Sequence, residues 1–162
     1  MPIDVPPDTP LKRLGGDSRP LEEWTTTFHL ALVVLDPYTY ESAWLLDTAG
    51  RILRNFAEAD CRTAFVVTCD DDDASAFLGP WGREFLVFTD PDRLAVKNIG
   101  LERLPAFVHI NQANQIEAKA EGWHPDEWRA VAENLAERMS WRRPTIPEAG
   151  DPAPYAGTPA LG

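Results

Sequence analysis

The chain of 162 residues and 18.1 kDa carries 26 acidic and 15 basic side chains, which gives it a formal net charge of −11. This charge repels nucleic-acid phosphates and anionic lipid head groups, so we expect neither nucleic acid nor membrane as a partner, whereas it favours a basic protein segment. The length fits one domain, no apolar run is long enough to span a membrane, and the first residues lack the pattern of a signal peptide, so we expect a cytoplasmic protein.

Prolines and glycines crowd both ends of the chain. Residues 1–22 contain five prolines and two glycines, which interrupt a regular hydrogen-bonded ladder, so we predict an irregular, flexible arm. Residues 143–162 are rich in proline, alanine and glycine with almost no large apolar side chain. Such a segment buries too little surface to offset its ordering entropy, and we predict a disordered tail. The folded domain is then residues 23–142.

Between these ends the hydrophobic pattern changes its period repeatedly. Unbroken short apolar runs predict strands covered on both faces, and apolar residues three and four apart predict amphipathic helices. In chain order we predict a strand at 29–35, a helix at 40–59, a strand at 63–69, a short helix at 74–78, an extended segment at 84–89, helical turns at 94–99, a hairpin of strands 106–111 and 115–120, and a final helix from His124. This order predicts an α/β fold with a mixed sheet and helices on both faces.

The chain has two cysteines, Cys61 and Cys69. A strand between them would separate their sulfurs by over about 20 Å, beyond the reach of a disulfide, which agrees with a reducing compartment. Cys69 ends a predicted strand on the side where α/β proteins usually bind ligands. It is therefore either a lone reactive thiol or an inert one whose pKa is raised by the aspartates at 70–73.

The sequence predicts no metal site and no cofactor. The aspartates at 70–73 lack the spacing and the glycine of a calcium loop, and we interpret them as a solvated loop that caps the next helix. The three histidines, His29, His109 and His124, show no metal-ligand spacing along the chain. We expect each of them to serve in capping or packing.

Four of the six tryptophans divide into two groups. Trp44 and Trp128 fit the apolar stripes of their predicted helices, so we expect them in the core. Trp81 and Trp123 fall in predicted loops. Together with the tyrosines that follow the first central strand, these two form either an aromatic binding patch or ordinary loop packing.

The chain resembles a known family in three features: the element order, the run Leu104-Pro105-Ala106 that enters the hairpin, and Gly122 before the last helix. Over about residues 28–139 it resembles the thioredoxin family. The resemblance implies a thioredoxin-like three-layer sandwich with a mixed central sheet, in which the Leu104–Pro105 peptide bond is cis. An ordinary trans proline at the start of an edge strand is the alternative.

Active thioredoxins carry two cysteines, three residues apart, in the loop after the first central strand. The resemblance matches these positions to Thr39 and Ser42, and a second comparison, with the peroxiredoxins, matches Ser42 to their peroxidatic cysteine. Neither hydroxyl can form a disulfide, and no histidine nearby in sequence could activate it. The resemblance therefore implies a redox-inactive member of the superfamily.

We interpret the chain as a binding protein, meaning a chaperone, adaptor or accessory subunit, that holds an extended protein or peptide segment. The predicted surface comprises Pro37, Tyr38, Thr39, Tyr40, Glu41, Ser42, Leu104 and Pro105. A resemblance to hydrogenase-expression proteins, which are chaperones of the hydrogenase small subunit, rests on three short motifs: Asp36-Pro37, Leu104-Pro105-Ala106 and Gly122-Trp123-His124-Pro125. The alternatives are a one-cysteine thiol oxidoreductase or peroxidase that uses Cys69, and a homodimer.

Overall fold

A computed structural model describes residues 3–162 of the chain. The strands and helices follow one another as β1 (Ile3–Asp4), β2 (Pro10–Arg13), β3 (Ser18–Pro20), α1 (Leu21–Trp24), β4 (His29–Leu35), α2 (Tyr40–Asn55), β5 (Cys61–Val67), α3 (Asp71–Leu78), α4 (Trp81–Glu84), β6 (Leu86–Thr89), α5 (Leu94–Ile99), β7 (Arg103–Leu104), β8 (Ala106–Ile110), β9 (Gln115–Glu121), α6 (Pro125–Met139) and β10 (Thr158–Pro159). The predicted elements are thus present, with ends shifted by a few residues.

Within the described residues, eight strands form one mixed sheet in the order β1-β9-β8-β4-β5-β6-β2-β3. Strands β4, β5 and β6 are parallel, whereas β4 pairs antiparallel with β8, and β8 with β9. The central strand β4 is apolar without alternation because it is buried on both faces. Its residues 31, 33 and 35 belong to one core, and residues 30, 32 and 34 belong to the other.

Helices cover both faces of the sheet. Helices α2, α3 and α6 contribute to the core on one face, and α1 and α5 contribute to the core on the other. This arrangement confirms the thioredoxin-like three-layer sandwich. Within residues 3–162, none of the helices combines the length and the apolar character that crossing a lipid bilayer would need.

The N-terminal segment is not an irregular arm, and that prediction was wrong. Strand β1 pairs with β9 at one edge of the sheet, and β2 pairs with β6 at the other. The buried side chains of Val5, Leu11 and Leu21 hold the segment against the sheet. The prolines allow this because, within residues 3–22, none lies inside a strand: Pro6 and Pro7 lie between β1 and β2, Pro10 begins β2 and Pro20 ends β3.

The C-terminal segment, residues 143–162, is ordered along its length, which corrects the predicted disordered tail. Ile146 is buried in a core, and the backbone of Tyr155 exchanges two hydrogen bonds with that of Trp123, at 2.8 and 3.0 Å. Strand β10 then pairs with β7. The segment is held by a few anchors and by backbone hydrogen bonds, neither of which depends on a high content of apolar residues.

Candidate functional site

The loop after β4 begins at Asp36, a buried carboxylate. One of its oxygens accepts a hydrogen bond from the backbone N–H of Tyr38 at 3.0 Å, and the other lies 2.9 Å from the guanidinium of Arg93. Arg93 also donates to the backbone carbonyl of Ala160 at 2.6 Å. One arginine therefore joins the loop, the start of α5 and the C-terminal segment.

Thr39 and Ser42 hold the loop in place. The Thr39 side chain caps α2 by accepting a hydrogen bond from the N–H of Ser42 at 3.4 Å, and it donates to the carbonyl of Asp36 at 2.9 Å. Ser42 is buried, and its Oγ accepts a hydrogen bond from the N–H of Asp36 at 2.9 Å. Both hydroxyls thus serve the backbone of their own loop, and a buried serine is poorly placed to meet a substrate.

Three aromatic side chains project from this loop and the first turn of α2. Tyr38, Tyr40 and Trp44 are 66%, 76% and 58% exposed, and we call them the aromatic surface. The rings of Tyr40 and Trp44 stack with centroids 6.4 Å apart, and the rings of Trp44 and Tyr155 form a T-shaped pair with centroids 5.7 Å apart. The hydroxyl of Tyr38 donates to Asp73, and this hydrogen bond raises the pKa of Tyr38 to about 12.

The aromatic surface differs from the predicted patch. Trp44 is exposed, so its predicted core position was wrong: its neighbour Leu45 lies in the buried stripe, and Trp44 projects about 100° further round the helix. Its spacing of four residues from Tyr40 is the sequence signal that could have placed the two on one exposed face. Trp128 is buried, as predicted.

The two tryptophans predicted in loops pack against other residues of the chain instead of forming a patch, and Trp81, which is partly buried, begins α4. Trp123 is fully buried against Trp128, with ring centroids 5.3 Å apart. Trp81 covers Gly50 of α2, where a Cβ would come within 2.6 Å of the indole ring, and its Nε1 donates to Asp47 at 3.0 Å. Of the two interpretations left open by the sequence, these contacts correspond to loop packing.

The predicted surface is not continuous, because the C-terminal segment covers its second half. The Leu104–Pro105 peptide bond is cis, as predicted, and both residues are buried. Thr158 pairs with Leu104 in the small sheet of β7 and β10, and Gly157 lies so close that a Cβ there would be 2.4 Å from the Leu104 carbonyl oxygen. The open part of the predicted surface is therefore residues 37–41, in the loop and the first turn of α2.

Cys69 lies behind the loop and is only 2% exposed. Burial, followed by the charges of Asp73 and Asp70, raises the pKa of its thiol to about 12. Cys61 is also unpaired and buried, and burial raises its pKa to about 11. Both thiols are therefore protonated at neutral pH, which makes them weak nucleophiles.

The aspartates at 70–73 form the edge of the site beside Tyr38. Asp70 caps α3 by accepting the N–H of Asp73 at 2.9 Å, which confirms the predicted capping role. Asp71 pairs with Lys12 at 3.0 Å. Asp70, Asp72 and Asp73 are exposed, so negative charge borders the aromatic surface on this side.

Comparison with known proteins identifies the fold. No family model matches the chain, and no curated protein matches it by sequence. Among solved structures, a putative thiol:disulfide interchange protein DsbE from Chlorobium tepidum is similar with a TM-score of 0.69 and 17% identity, over 86% of this chain and 98% of that one. A cysteine-to-serine mutant of peroxiredoxin Q from Xanthomonas campestris is similar with a TM-score of 0.65 and 14% identity, over 85% and 96%.

A hypothetical protein from Sinorhizobium meliloti is similar with a TM-score of 0.69 and 13% identity, over 99% of this chain and 94% of that one. That match includes both terminal segments. All of these identities are low, so the likeness establishes the thioredoxin-like fold and leaves the activity to be argued from the residues themselves.

Proposed function

We propose that this protein, whose fold is that of the thioredoxin-like proteins, binds a basic, extended segment of a partner protein through the aromatic surface and carries out no thiol chemistry. The observation that carries the proposal is the exposure of Tyr38, Tyr40 and Trp44. The hydroxyls of Thr39 and Ser42, in the same segment, both form hydrogen bonds with the backbone of the loop. Exposed aromatic residues on a rigid support are the side chains that most often dominate binding energy at interfaces.

The rigidity of the loop supports this role. The Thr39 cap and the Arg93–Asp36 ion pair fix the loop backbone, and the stacking of Tyr40 on Trp44 limits the freedom of both rings. A partner therefore loses less of its binding free energy to ordering these side chains than it would on a flexible loop.

The charge beside the aromatic surface supports a basic ligand. The exposed carboxylates of Asp70, Asp72 and Asp73 border Tyr38, and the whole chain has a net charge of −11. Lysine or arginine side chains of a partner would meet acids on this side and could lie over the exposed rings. Binding of this kind weakens as salt is added.

A hydrogenase small subunit is one specific partner for such a binding protein, following the resemblance drawn from the sequence motifs. We place this activity in the cytoplasm, which agrees with two cysteines that are free and buried. The buried, protonated state of Cys69 argues against the one-cysteine oxidoreductase or peroxidase.

The test compares a double variant, Tyr40→Ala with Trp44→Ala, with the wild type. Ile3→Ala is the matched control, because Ile3 is an exposed apolar side chain on the edge strand β1, away from the loop. Each tagged protein is used to capture partners from its native cell extract, and the captured partner is then purified and its affinity measured by calorimetry at two salt concentrations.

We expect the wild type and Ile3→Ala to bind the same partner, and the double variant to bind it at least about 30-fold more weakly, the cost of losing an interface hot spot. Equal affinity for the double variant, or no partner for any protein, would overturn the proposal. A mass near twice 18.1 kDa in light scattering, reduced to one chain by the double variant, would instead identify a second copy as the occupant.

A further inference from the structure

Two histidines and a glutamate meet at the end of the sheet opposite to the aromatic surface. His29 opens β4, whereas the loop of the aromatic surface follows the other end of that strand, about 20 Å away. The pairing of β4 with β8 places His109 opposite Ala31, on the same face as His29. Their spacing along the chain gives no sign of this meeting, because strand pairing joins residues that are far apart in sequence.

Glu117 reaches the histidines because of a β-bulge. In the β8–β9 ladder His109 pairs with Ala118 and Ile110 pairs with Ile116, so Glu117 is an extra residue on its strand. Successive residues of a strand point to opposite faces of the sheet, so without the bulge Glu117, next to Ala118, would point away from His109. Bulges that redirect a side chain in this way are over-represented beside functional sites.

The three side chains present their ligand atoms to one another. Nδ1 of His29 lies 2.8 Å from Nε2 of His109, and one ligand atom from each of the three residues lies within 4.8 Å of the others. His109 is fully buried, whereas His29 and Glu117 are partly accessible. The cluster therefore reaches solvent through His29 and Glu117.

Helix α6 supplies a second layer around the cluster. The side-chain amide of Asn134 lies 2.9 Å from Nδ1 of His109, on the ring edge that faces away from His29. The guanidinium of Arg138 lies 3.0 Å from Oε2 of Glu117 and forms an ion pair with it, without good hydrogen-bond geometry. The amide of Asn134 also donates to Oε1 of Glu117 at 3.4 Å, so helix α6 orients both His109 and Glu117.

We propose that His29, His109 and Glu117 bind a divalent transition-metal ion of the zinc type, through Nδ1, Nε2 and a carboxylate oxygen respectively. Two imidazoles and one carboxylate are a donor set suited to Zn²⁺, and they leave a fourth position for water. Metal–nitrogen bonds of about 2.1 Å at tetrahedral angles place ligand atoms about 3.4 Å apart. The partly exposed ring of His29 has to withdraw by about 0.6 Å from its 2.8 Å contact with His109 to reach this spacing.

The surroundings of His109 suit a ligand. Its ring is fully buried, and its two nitrogens face His29 on one edge and Asn134 on the other. When Nε2 binds the ion, the proton sits on Nδ1, and the Asn134 amide turned by half a rotation presents its oxygen to that N–H. Such an outer partner fixes the tautomer and the orientation of a ligating histidine.

The test measures Zn²⁺ binding by the full-length protein after treatment with a chelator. Calorimetry gives the stoichiometry and affinity, and Co²⁺ in place of Zn²⁺ gives an absorption band that reports the coordination geometry. The variants are His29→Gln and Glu117→Gln, which change partly accessible side chains and leave the buried His109 intact. His124→Gln, which removes the third histidine of the chain outside the cluster, is the matched control.

We expect one Zn²⁺ per chain in the wild type and in His124→Gln, with loss of that binding in His29→Gln and Glu117→Gln while their circular dichroism stays native. Asn134→Ala should weaken binding by about 10- to 100-fold, as changes to outer-shell partners do. A wild type that binds no Zn²⁺, or binding that persists in both cluster variants, would overturn the proposal.

Discussion

The Cys69 thiol should react much more slowly in the folded protein than in the unfolded chain. Its pKa of about 12 lies three units above its ordinary value of 9.0, so the thiolate fraction at neutral pH falls about a thousandfold. A more basic thiolate is a better nucleophile, with a Brønsted slope of about 0.4–0.5, and this recovers part of the loss. The pKa alone therefore slows disulfide exchange by about 50-fold, and the 2% exposure of Cys69 slows it further.

The assay follows the release of thionitrobenzoate from dithiobis-nitrobenzoate by the Cys61→Ser variant, in which Cys69 is the remaining thiol. The same variant in concentrated urea gives the reference rate. The reciprocal Cys69→Ser variant tests Cys61, whose pKa of about 11 predicts a slowing of about 10-fold from the pKa alone. A folded Cys69 that reacts as fast as the unfolded one would refute this reasoning and restore the one-cysteine oxidoreductase.

Three further predictions concern stability. Because folding raises the pKa of Cys69, the contribution of this thiol to the unfolding free energy is intact below its ordinary pKa of 9.0 and is lost as the pH rises above it. Cys69→Ser should therefore reduce the alkaline slope of the unfolding free energy by at most about 1.4 kcal/mol per pH unit in urea titrations. Equal slopes for the variant and the wild type would contradict this. Gly157→Ala places a Cβ against the Leu104 carbonyl and should remove hydrogen-exchange protection from the C-terminal segment, whereas Gly150→Ala, also at positive φ but in open space, should keep it. Equal protection in the two variants would be inconsistent with the close approach of Gly157 to Leu104. Asp70→Ala should lower the unfolding free energy by about 1 kcal/mol through loss of the α3 cap, and an unchanged denaturation midpoint would argue against that cap.

The elements of the central domain could be predicted because local patterns determine them. The unbroken apolar run at 29–35 marks a strand buried on both faces, and the stripe of α2 marks a helix with one buried face. The terminal segments could not be predicted from composition. Their order depends on backbone pairing with β6, β9 and β7, and on single anchors such as Leu11 and Ile146.

The candidate site was predictable where it is a single stretch of chain and not where distant segments meet. The residues at 37–41 lie after the first central strand, where the sequence placed them, whereas the cap at Thr39 was not predicted. The covering of Leu104 by residues more than 50 positions later leaves no local signal. The same holds for His29 and His109, which are 80 residues apart, and for the bulge that turns Glu117 toward them.

The position of Tyr155 would couple the end of the chain to the proposed binding at the aromatic surface. Its hydroxyl donates to the carbonyl of Glu41 at 2.5 Å and its ring packs against Trp44, so the C-terminal segment borders the proposed ligand position. A ligand that contacts both the aromatic surface and this segment would bind the docked form more tightly, and mass action would then link binding to docking. At a concentration of 100 times its Kd, such a ligand would stabilise the docked segment by about 2.7 kcal/mol, and proteolysis of the chain end would slow accordingly.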